Sequence, residues 1–323
     1  MRYAFISHHA PLWPVRRQCR LLAVSASGYY AWVARPAPPA VPAPSWQQAA
    51  QQHFDAHAGR YGTRRLRAAL AEQQAQAQTQ AQTQAQTQAQ TQTQAQTQAQ
   101  AESVAVGRDR LRRWLRETGQ RALCTRPPVP RPRTTQPDPA ARCAPNRLAD
   151  APPPTAPNQI WQGDITYLPL ASGGWAYLAA WRDAYSRAVV GWKVDETMTT
   201  ALVLDALRRA VAVRQPTPGL LVHADRGCQY TSHAFTDYLA DANFVASCSR
   251  TGNPYDNALV ESGWSTLKTE LLPHNAVFED VQQAREEVEY YLGTYYNTLR
   301  LHSAIGYLTP TQFEQLPATP NQP

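Results

Sequence analysis

Lysine is nearly absent from this chain of 323 residues, where only two stand against 29 arginines. Charged residues altogether make up 17%, below the ~25% usual for a globular domain, so uncharged sequence dilutes the chain. Cysteines number five, an odd count without a CxxC pair. That excludes a disulfide scaffold and fits a reduced, cytosolic setting. Long apolar runs are missing as well. A purely apolar stretch such as 175–181 is far short of the ~20 residues that span a bilayer. The N-terminal stretch carries Arg2, Arg16, Arg17 and Arg20 and no apolar region followed by a cleavage site. The expectation is a protein that is neither secreted nor held in a membrane. Hydrophobic residues, at 43%, suffice for a core, and the length predicts about two domains.

Charge divides the chain in two. Residues 1–150 hold 20 Arg and no Lys against 7 acids, a net of +13. Residues 151–323 hold 9 Arg and 2 Lys against 17 acids, a net of −6. Such asymmetry suits a protein that holds a polyanion at one end and does chemistry at the other. A solvated basic surface without a partner is the plainer alternative, and genomic base composition accounts for the Arg excess as well as phosphate recognition does.

Three stretches punctuate the sequence. Residues 35–45 and 126–157, the latter with eleven prolines, sustain neither helices nor inner strands and read as linkers. Residues 73–101 contain only Gln, Ala and Thr, with Gln at every even position from 74 to 100. This tract has no apolar side chain large enough to anchor it, so it is expected to remain without order, as a tolerated repeat expansion.

The basic half between these breaks reads as all-α. Residues 11–34 suggest a helix, a turn and a second short helix. Residues 46–125 form a basic region in which Leu66 and Leu70 share a face, leaving Arg64, Arg65 and Arg67 elsewhere. In 104–118, Leu111, Trp114 and Leu115 make an apolar stripe, while Arg108, Arg112 and Arg116 form a row at i, i+4, i+8. Two amphipathic helices with Arg-rich outer faces suit a helix-turn-helix on DNA phosphates, and equally suit ordinary surface helices of an Arg-rich protein. His53 and His57 also stand at i, i+4, but no CxxC completes a zinc site.

From residue 158 the pattern becomes α/β. Strands are expected at 160–168, 175–181, 188–194, 220–225 and 244–249, with helices at 199–213, 232–242 and from Asn253–Pro254 to about Leu272. A three-strand meander followed by alternating helix and strand predicts a mixed sheet in 158–272, with a helical tail at 273–323. Asp164 falls within the first strand, Asp225 ends the fourth, and Glu261 lies two turns into the last helix. The first and fourth strands neighbour each other in such a sheet, so the three acids can converge. They would repel one another unless a hard divalent cation neutralised them. Two magnesium ions suit in-line displacement at a phosphodiester.

The runs Trp161, Asp164–Tyr167, then HADRGCQYTS (223–232), then SRTGNPYDNALVES (249–262) resemble the DDE integrase core of bacterial insertion-sequence transposases. With CRLLAVSASGYYAW (19–32), RYGTRRLRAAL (60–70) and YYNTLRLHSAIGYLTP (295–310), the resemblance is to the OrfB-type protein of the insertion-sequence-three family. It spans nearly the whole chain except the Gln tract. The resemblance implies an RNase H-like five-stranded mixed sheet with flanking helices. It further implies Mg2+ or Mn2+ as cofactor and cleavage and joining of DNA strands at element ends. On these motifs Asp164, Asp225 and Glu261 match the catalytic and metal-binding triad. Ala224 and Cys228 stand where the pattern more usually has Ser. Implied partners are DNA, further copies of the chain, at least two on paired ends, and an upstream-frame protein as fusion or partner, in a bacterial cytoplasm beside the nucleoid. A nuclease that cleaves without joining and an inactive DNA-binding relic are the competing readings.

Three further residues belong beside the triad. His223 shares a strand face with Asp225 and either touches substrate or orients the acid. Lys268 follows Glu261 by seven residues on one helix face, placed for a phosphate. Asp183 ends the second strand, where a turn-forming role is expected. Arg300 and His302 match the family tail without revealing a role.

Overall fold

The computed structural model describes residues 2–34, 45–89, 106–123, 143–250, 258–272 and 277–316. The side chains of 81, 82, 84–89 and 258–261 are not among what it describes. The chain forms two compact units, Met1–Ala49 and Ala50–Pro323.

In the first unit α1 (Arg2–His9), α2 (Val15–Leu21) and α3 (Ala26–Val33) enclose Ile6, Cys19 and Tyr29. Helices α2 and α3 occupy the stretch in which two helices are expected, and α1 precedes them within residues 1–34, which the sequence reading takes as an N-terminal helical segment. Ser25 caps α3 by accepting a hydrogen bond from the Gly28 N–H. The Gln18 amide ties the intervening loop by donating to the carbonyls of His9 and Trp13.

Three helices lead into the second unit: α4 (Ser45–Ala56), α5 (Thr63–Ala89) and α6 (Arg108–Glu117). Helices α5 and α6 pack together, with Leu66, Leu70, Leu111, Trp114 and Leu115 buried as their spacing predicts. The expectation that the tract 73–101 lacks order is corrected for its first part, because α5 continues through it to Ala89. Ala and Gln are good helix formers. Once Leu66 and Leu70 fix the first turns, the costly nucleus exists and propagation needs no apolar contact. Residues 90–105 lie outside the described residues.

Five strands follow: β1 (Ile160–Pro169), β2 (Trp175–Asp183), β3 (Val189–Asp195), β4 (Leu221–Ala224) and β5 (Val245–Cys248). Their order in the sheet is β3-β2-β1-β4-β5. The first three strands are antiparallel neighbours, and β4 and β5 join in parallel. This is the RNase H-like arrangement implied by the resemblance, and each strand lies within two residues of its expected bounds. One face is covered by α7 (Thr200–Arg214) and, after the single turn α8 (Cys228–Thr231), by α9 (His233–Asp241). Gly191 lets α7 approach β3. A Cβ there would meet the Ala206 carbonyl oxygen and Ala210.

The opposite face is covered by α10 (Ala258–Leu271), α11 (Val281–Glu289) and a π-helical turn, Tyr290–Tyr296. The tail from 273 is therefore a layer of the sheet domain, its Phe278, Val288, Tyr291 and Leu292 buried against Leu168, Leu178 and Val194. Burial of each such side chain contributes roughly 1.5–3 kcal/mol. The chain closes with a 3-10 turn, Ser303–Ile305, and α12 (Pro310–Glu314), which Thr309 and Gln312 begin with a capping box.

The basic helices also bind into this unit. The Tyr61 hydroxyl donates to the Leu299 carbonyl and accepts from the Leu301 N–H. The linker expected at 126–157 is described from residue 143 onward, and residues 143–157 contain no helix or strand. It nonetheless docks on the sheet edge, where the backbone N–H groups of Arg147 and Leu148 donate to the Ser247 hydroxyl on β5.

Candidate active site

Parallel pairing brings the two aspartates together. Ile160 pairs with Leu221, Trp161 with Val222 and Gln162 with His223. Two steps further, the same register sets Asp164 level with Asp225, on strands whose axes are about 4.8 Å apart. Asp164 lies midway along β1, and Asp225 directly follows the last residue of β4.

Each carboxylate is held from its own side. Asp164 Oδ1 accepts the Ile165 N–H at 2.8 Å, and Oδ2 accepts the Trp264 indole N–H from α10 at 2.9 Å. Asp225 Oδ1 accepts the Gly227 N–H at 2.9 Å. Burial pushes the Asp225 carboxyl above its usual value, and that single hydrogen bond offsets the effect only in part. Tyr230 lies beneath both acids. Burial pushes its hydroxyl well above the ordinary range, and the charges of Asp164 and Asp225 add to the shift. Both carboxylates thus act on one phenol.

Glu261 belongs to α10, one turn before Trp264. Its carboxylate and the expected helix start at Asn253–Pro254 lie outside the described residues. Among the described residues no three His, Cys, Asp or Glu side chains cluster as a metal site. The donors that are described, two half-buried carboxylates, are hard oxygen ligands of the kind a divalent cation takes.

His223 is fully buried. Its Nδ1 lies 2.9 Å from the Ser247 hydroxyl and its Nε2 3.1 Å from that of Ser249. The ring fastens β4 to β5, so the geometry favours orienting Asp225 over touching substrate. Asp183 has the turn-forming role expected of it, accepting the N–H groups of Asn158, Tyr185 and Ser186. His53 and His57 are engaged otherwise than with metal: His53 meets Gln73, and His57 stacks on Tyr61 at 3.6 Å between ring centroids.

The arginines separate into two groups. Arg112 and Arg116 are exposed on α6, Arg112 paired with Asp109 at 2.8 Å. Arg65 turns inward instead, to a 2.9 Å ion pair with the buried Glu270 of α10. Arg64 and Arg108 border a cavity beside it, and Lys268 sits half-buried on α10. Trp264 and Glu270 were not singled out from sequence. Trp264, three residues past Glu261, carried a usable signal in that spacing, whereas Glu270 looked like any helical glutamate.

Comparison with known proteins bears on the family of the chain. Two family models, each described as an integrase core domain, match residues 154–254 and 245–310. A 161-residue stretch, 50% of this chain, is 45% identical to the transposase for insertion sequence element IS904 of Lactococcus lactis subsp. lactis (strain IL1403), and covers 63% of that protein. Over 322 residues, 97% of this chain and 98% of the relative, identity is 33% with transposase InsF for insertion sequence IS3A of Escherichia coli (strain K12). The HTLV-2 integrase catalytic core domain in complex with magnesium aligns at a TM-score of 0.39 and 20% identity, over 50% of this chain and 98% of that one.

The sheet unit is thus an integrase core, the scaffold of a polynucleotidyl transferase. The chain as a whole belongs to the OrfB-type transposases of the insertion-sequence-three family. Among the described residues, no helix is long and apolar enough to cross a membrane.

Proposed function

We propose that this transposase cleaves and joins DNA strands at insertion-sequence ends, with Asp164, Asp225 and Glu261 as its catalytic carboxylates. The observation that carries the reading is the parallel β1–β4 register, which extended two steps sets Asp164, midway along β1, level with Asp225, just past the end of β4. Family membership supplies the substrate class.

These three residues would hold the divalent cations, Mg2+ or Mn2+ and two in number, and a cation would offset the cost that partial burial puts on the ionised Asp225. When bound, the cations supply Lewis-acid stabilisation of charge at the reacting phosphate. The side chains of the chain itself position the acids. Trp264 sets the rotation of Asp164, the Gly227 N–H fixes one oxygen of Asp225, and His223 locks the strand that carries it. No side chain has to attack phosphorus. Water hydrolyses one phosphodiester at the element end, and the freed 3′-hydroxyl displaces another in a transesterification. DNA is held by Arg64, Arg108, Arg112, Arg116 and Lys268, with Arg65 bracing the helix that presents Arg64. Paired ends require at least two copies of the chain, and an upstream-frame protein is a candidate fusion or partner. The setting is the bacterial cytoplasm, at the nucleoid.

The test uses a duplex carrying the element ends. Asp164→Asn, Asp225→Asn and Glu261→Gln each remove a cation-binding charge without changing shape. Cleavage is expected to collapse in each while DNA binding persists. Near-normal magnesium-dependent cleavage by Glu261→Gln would overturn the assignment. Cleaved ends that never become joined would reduce the enzyme to a nuclease.

A further inference from the structure

A cavity of about 510 Å3 opens where the basic helices meet α10. Its wall includes Arg60, Arg64, Arg65 and Arg108, with the hydroxyl-bearing Thr266 on the α10 side beside Thr269, whose own hydroxyl donates to the Ser265 carbonyl. The one carboxylate there, Glu270, is already taken. It accepts from Arg65 at 2.9 Å, from both Nε and Nη2 of Arg300, and from the Tyr291 hydroxyl. Arg60 is partly engaged, its Nε donating to the Glu270 carbonyl and its guanidinium lying over Tyr295. Two guanidiniums remain. Arg64 makes no hydrogen bond or ion pair among the described residues, and Arg108 Nε is buried there with no hydrogen-bond partner. The first turn of α5, which also borders the cavity, contains no acidic residue, so the positive end of its dipole adds to the same field. An orphaned buried guanidinium N–H is costly to leave unmade, and positive charge in a concave, hydroxyl-lined wall calls for an anion with several acceptor oxygens.

We propose that this cavity binds a backbone phosphate of DNA, gripped by Arg64 and Arg108 on one side and by the Thr266 hydroxyl on the other. The proposal rests on the reading of the chain as a DNA-strand transferase, but the site is distinct from the carboxylate site. It clamps DNA between the basic helices and the helix that carries Glu261. Bound phosphate there makes substrate contact and the position of α10 parts of one arrangement, through Arg65 and Glu270. A free inorganic phosphate has the same chemistry, and the experiment separates the two.

The experiment measures binding of a short random-sequence duplex to the full chain, in chelator and across a salt series, so that no strand is cut. The variants are Arg108→Gln, Thr266→Glu and, as an equal charge loss far from the cavity, Arg285→Gln on α11. Thr266→Glu sets a carboxylate against the phosphate while keeping every arginine. Arg108→Gln and Thr266→Glu are expected to weaken binding about tenfold and to flatten the log–log salt slope by about 1, the loss of one phosphate contact. Arg285→Gln is expected to match the parent. Thermal melts identify a variant that fails to fold, and either cavity variant alone then decides. Parent-like binding by Thr266→Glu, or equal effects of Arg108→Gln and Arg285→Gln, would overturn the proposal. A melting shift with inorganic phosphate that the duplex cannot compete away would also overturn it, leaving a free-phosphate site. Because this assay reads no cleavage, losing the Asp164, Asp225 and Glu261 assignment would leave its outcome untouched.

Discussion

The indole N–H of Trp264 donates to Asp164 Oδ2 at 2.9 Å, joining the helix that carries Glu261 to the strand that carries the first acid. One hydrogen bond therefore fixes both the rotation of a carboxylate and the seat of a helix. Trp264→Phe keeps an aromatic ring in the core layer and removes the donor. Partners of this kind, which orient a cation ligand, typically contribute 10–100-fold to activity. Strand cleavage is expected to slow by about that range while duplex affinity stays at the parent level. Unchanged cleavage at saturating magnesium would show that Asp164 needs no such orientation.

Asp225 leads to a prediction about stability. Burial pushes its carboxyl above the usual value, which means that the folded protein disfavours the ionised form. A cation that binds only the folded state offsets this cost and stabilises by RT ln(1 + [L]/Kd), about 2.7 kcal/mol at a hundredfold excess over Kd. Magnesium is expected to raise the melting temperature of the parent in proportion. Asp225→Asn should start from a higher melting temperature in chelator and gain little from magnesium. Equal magnesium gains in both proteins would place the cation elsewhere.

The sequence made the sheet and its aspartates legible because both depend on short-range pattern. Runs such as Ile160–Leu168 and Leu221–Ala224 are bounded by turn residues, and the meander-then-alternation order leaves few topologies in which β1 and β4 are not neighbours. What could not be read depends on partners distant in sequence. Glu270 meets Arg65 from 205 positions away and Arg300 from 30, and nothing local marks any of the three. The cavity arises only where α5, α6 and α10 converge. The course of α5 into the Gln tract follows the helix propensity of Ala and Gln, to which an argument from buried apolar area is blind.

Glu270 anchors the junction between the basic helices and the sheet unit, and its charge makes that junction sensitive to pH. Burial alone would raise its carboxyl. The Arg300 hydrogen bond and charge, with help from Arg65 and Tyr291, outweigh that and leave it below the usual value. A carboxylate depressed in the folded state stabilises at pH above its unfolded value, near 4.5, and the contribution fades as pH falls through the folded value. Glu270→Gln strands the buried Arg300 guanidinium, and breaking such a pair costs about 3–5 kcal/mol. Urea unfolding at neutral pH should show that loss. Below the unfolded value the gap between parent and variant should narrow, and a gap constant down to acid pH would assign the loss to packing instead.

Helix α5 gives the last prediction. Among its residues of described burial, Leu70 is the final buried one, and beyond it the helix is exposed or half-exposed. Its polar side chains there bond within the helix. Gln76 donates to Glu72, and the Thr79 hydroxyl donates to the Ala75 carbonyl. Gln73 also reaches out of the helix, to a 3.1 Å contact with the half-buried His53 ring. Such surface contacts are worth at most about 0.5 kcal/mol, and closing a shorter loop changes entropy by only about 0.6 kcal/mol per halving. Replacing 73–101 with a four-residue Gly-containing turn should therefore leave the thermal melt close to that of the parent. The packing of Leu66 and Leu70 against Leu111 and Leu115 remains in place. DNA affinity should be equal or higher, since the arginines at 64 and 108 are then joined by a shorter connection. Circular dichroism should lose helical signal in proportion to the residues removed, without a change in cooperativity. A shortened chain that melts early or releases DNA would make the exposed half of α5 a structural element rather than an extension that the fold tolerates.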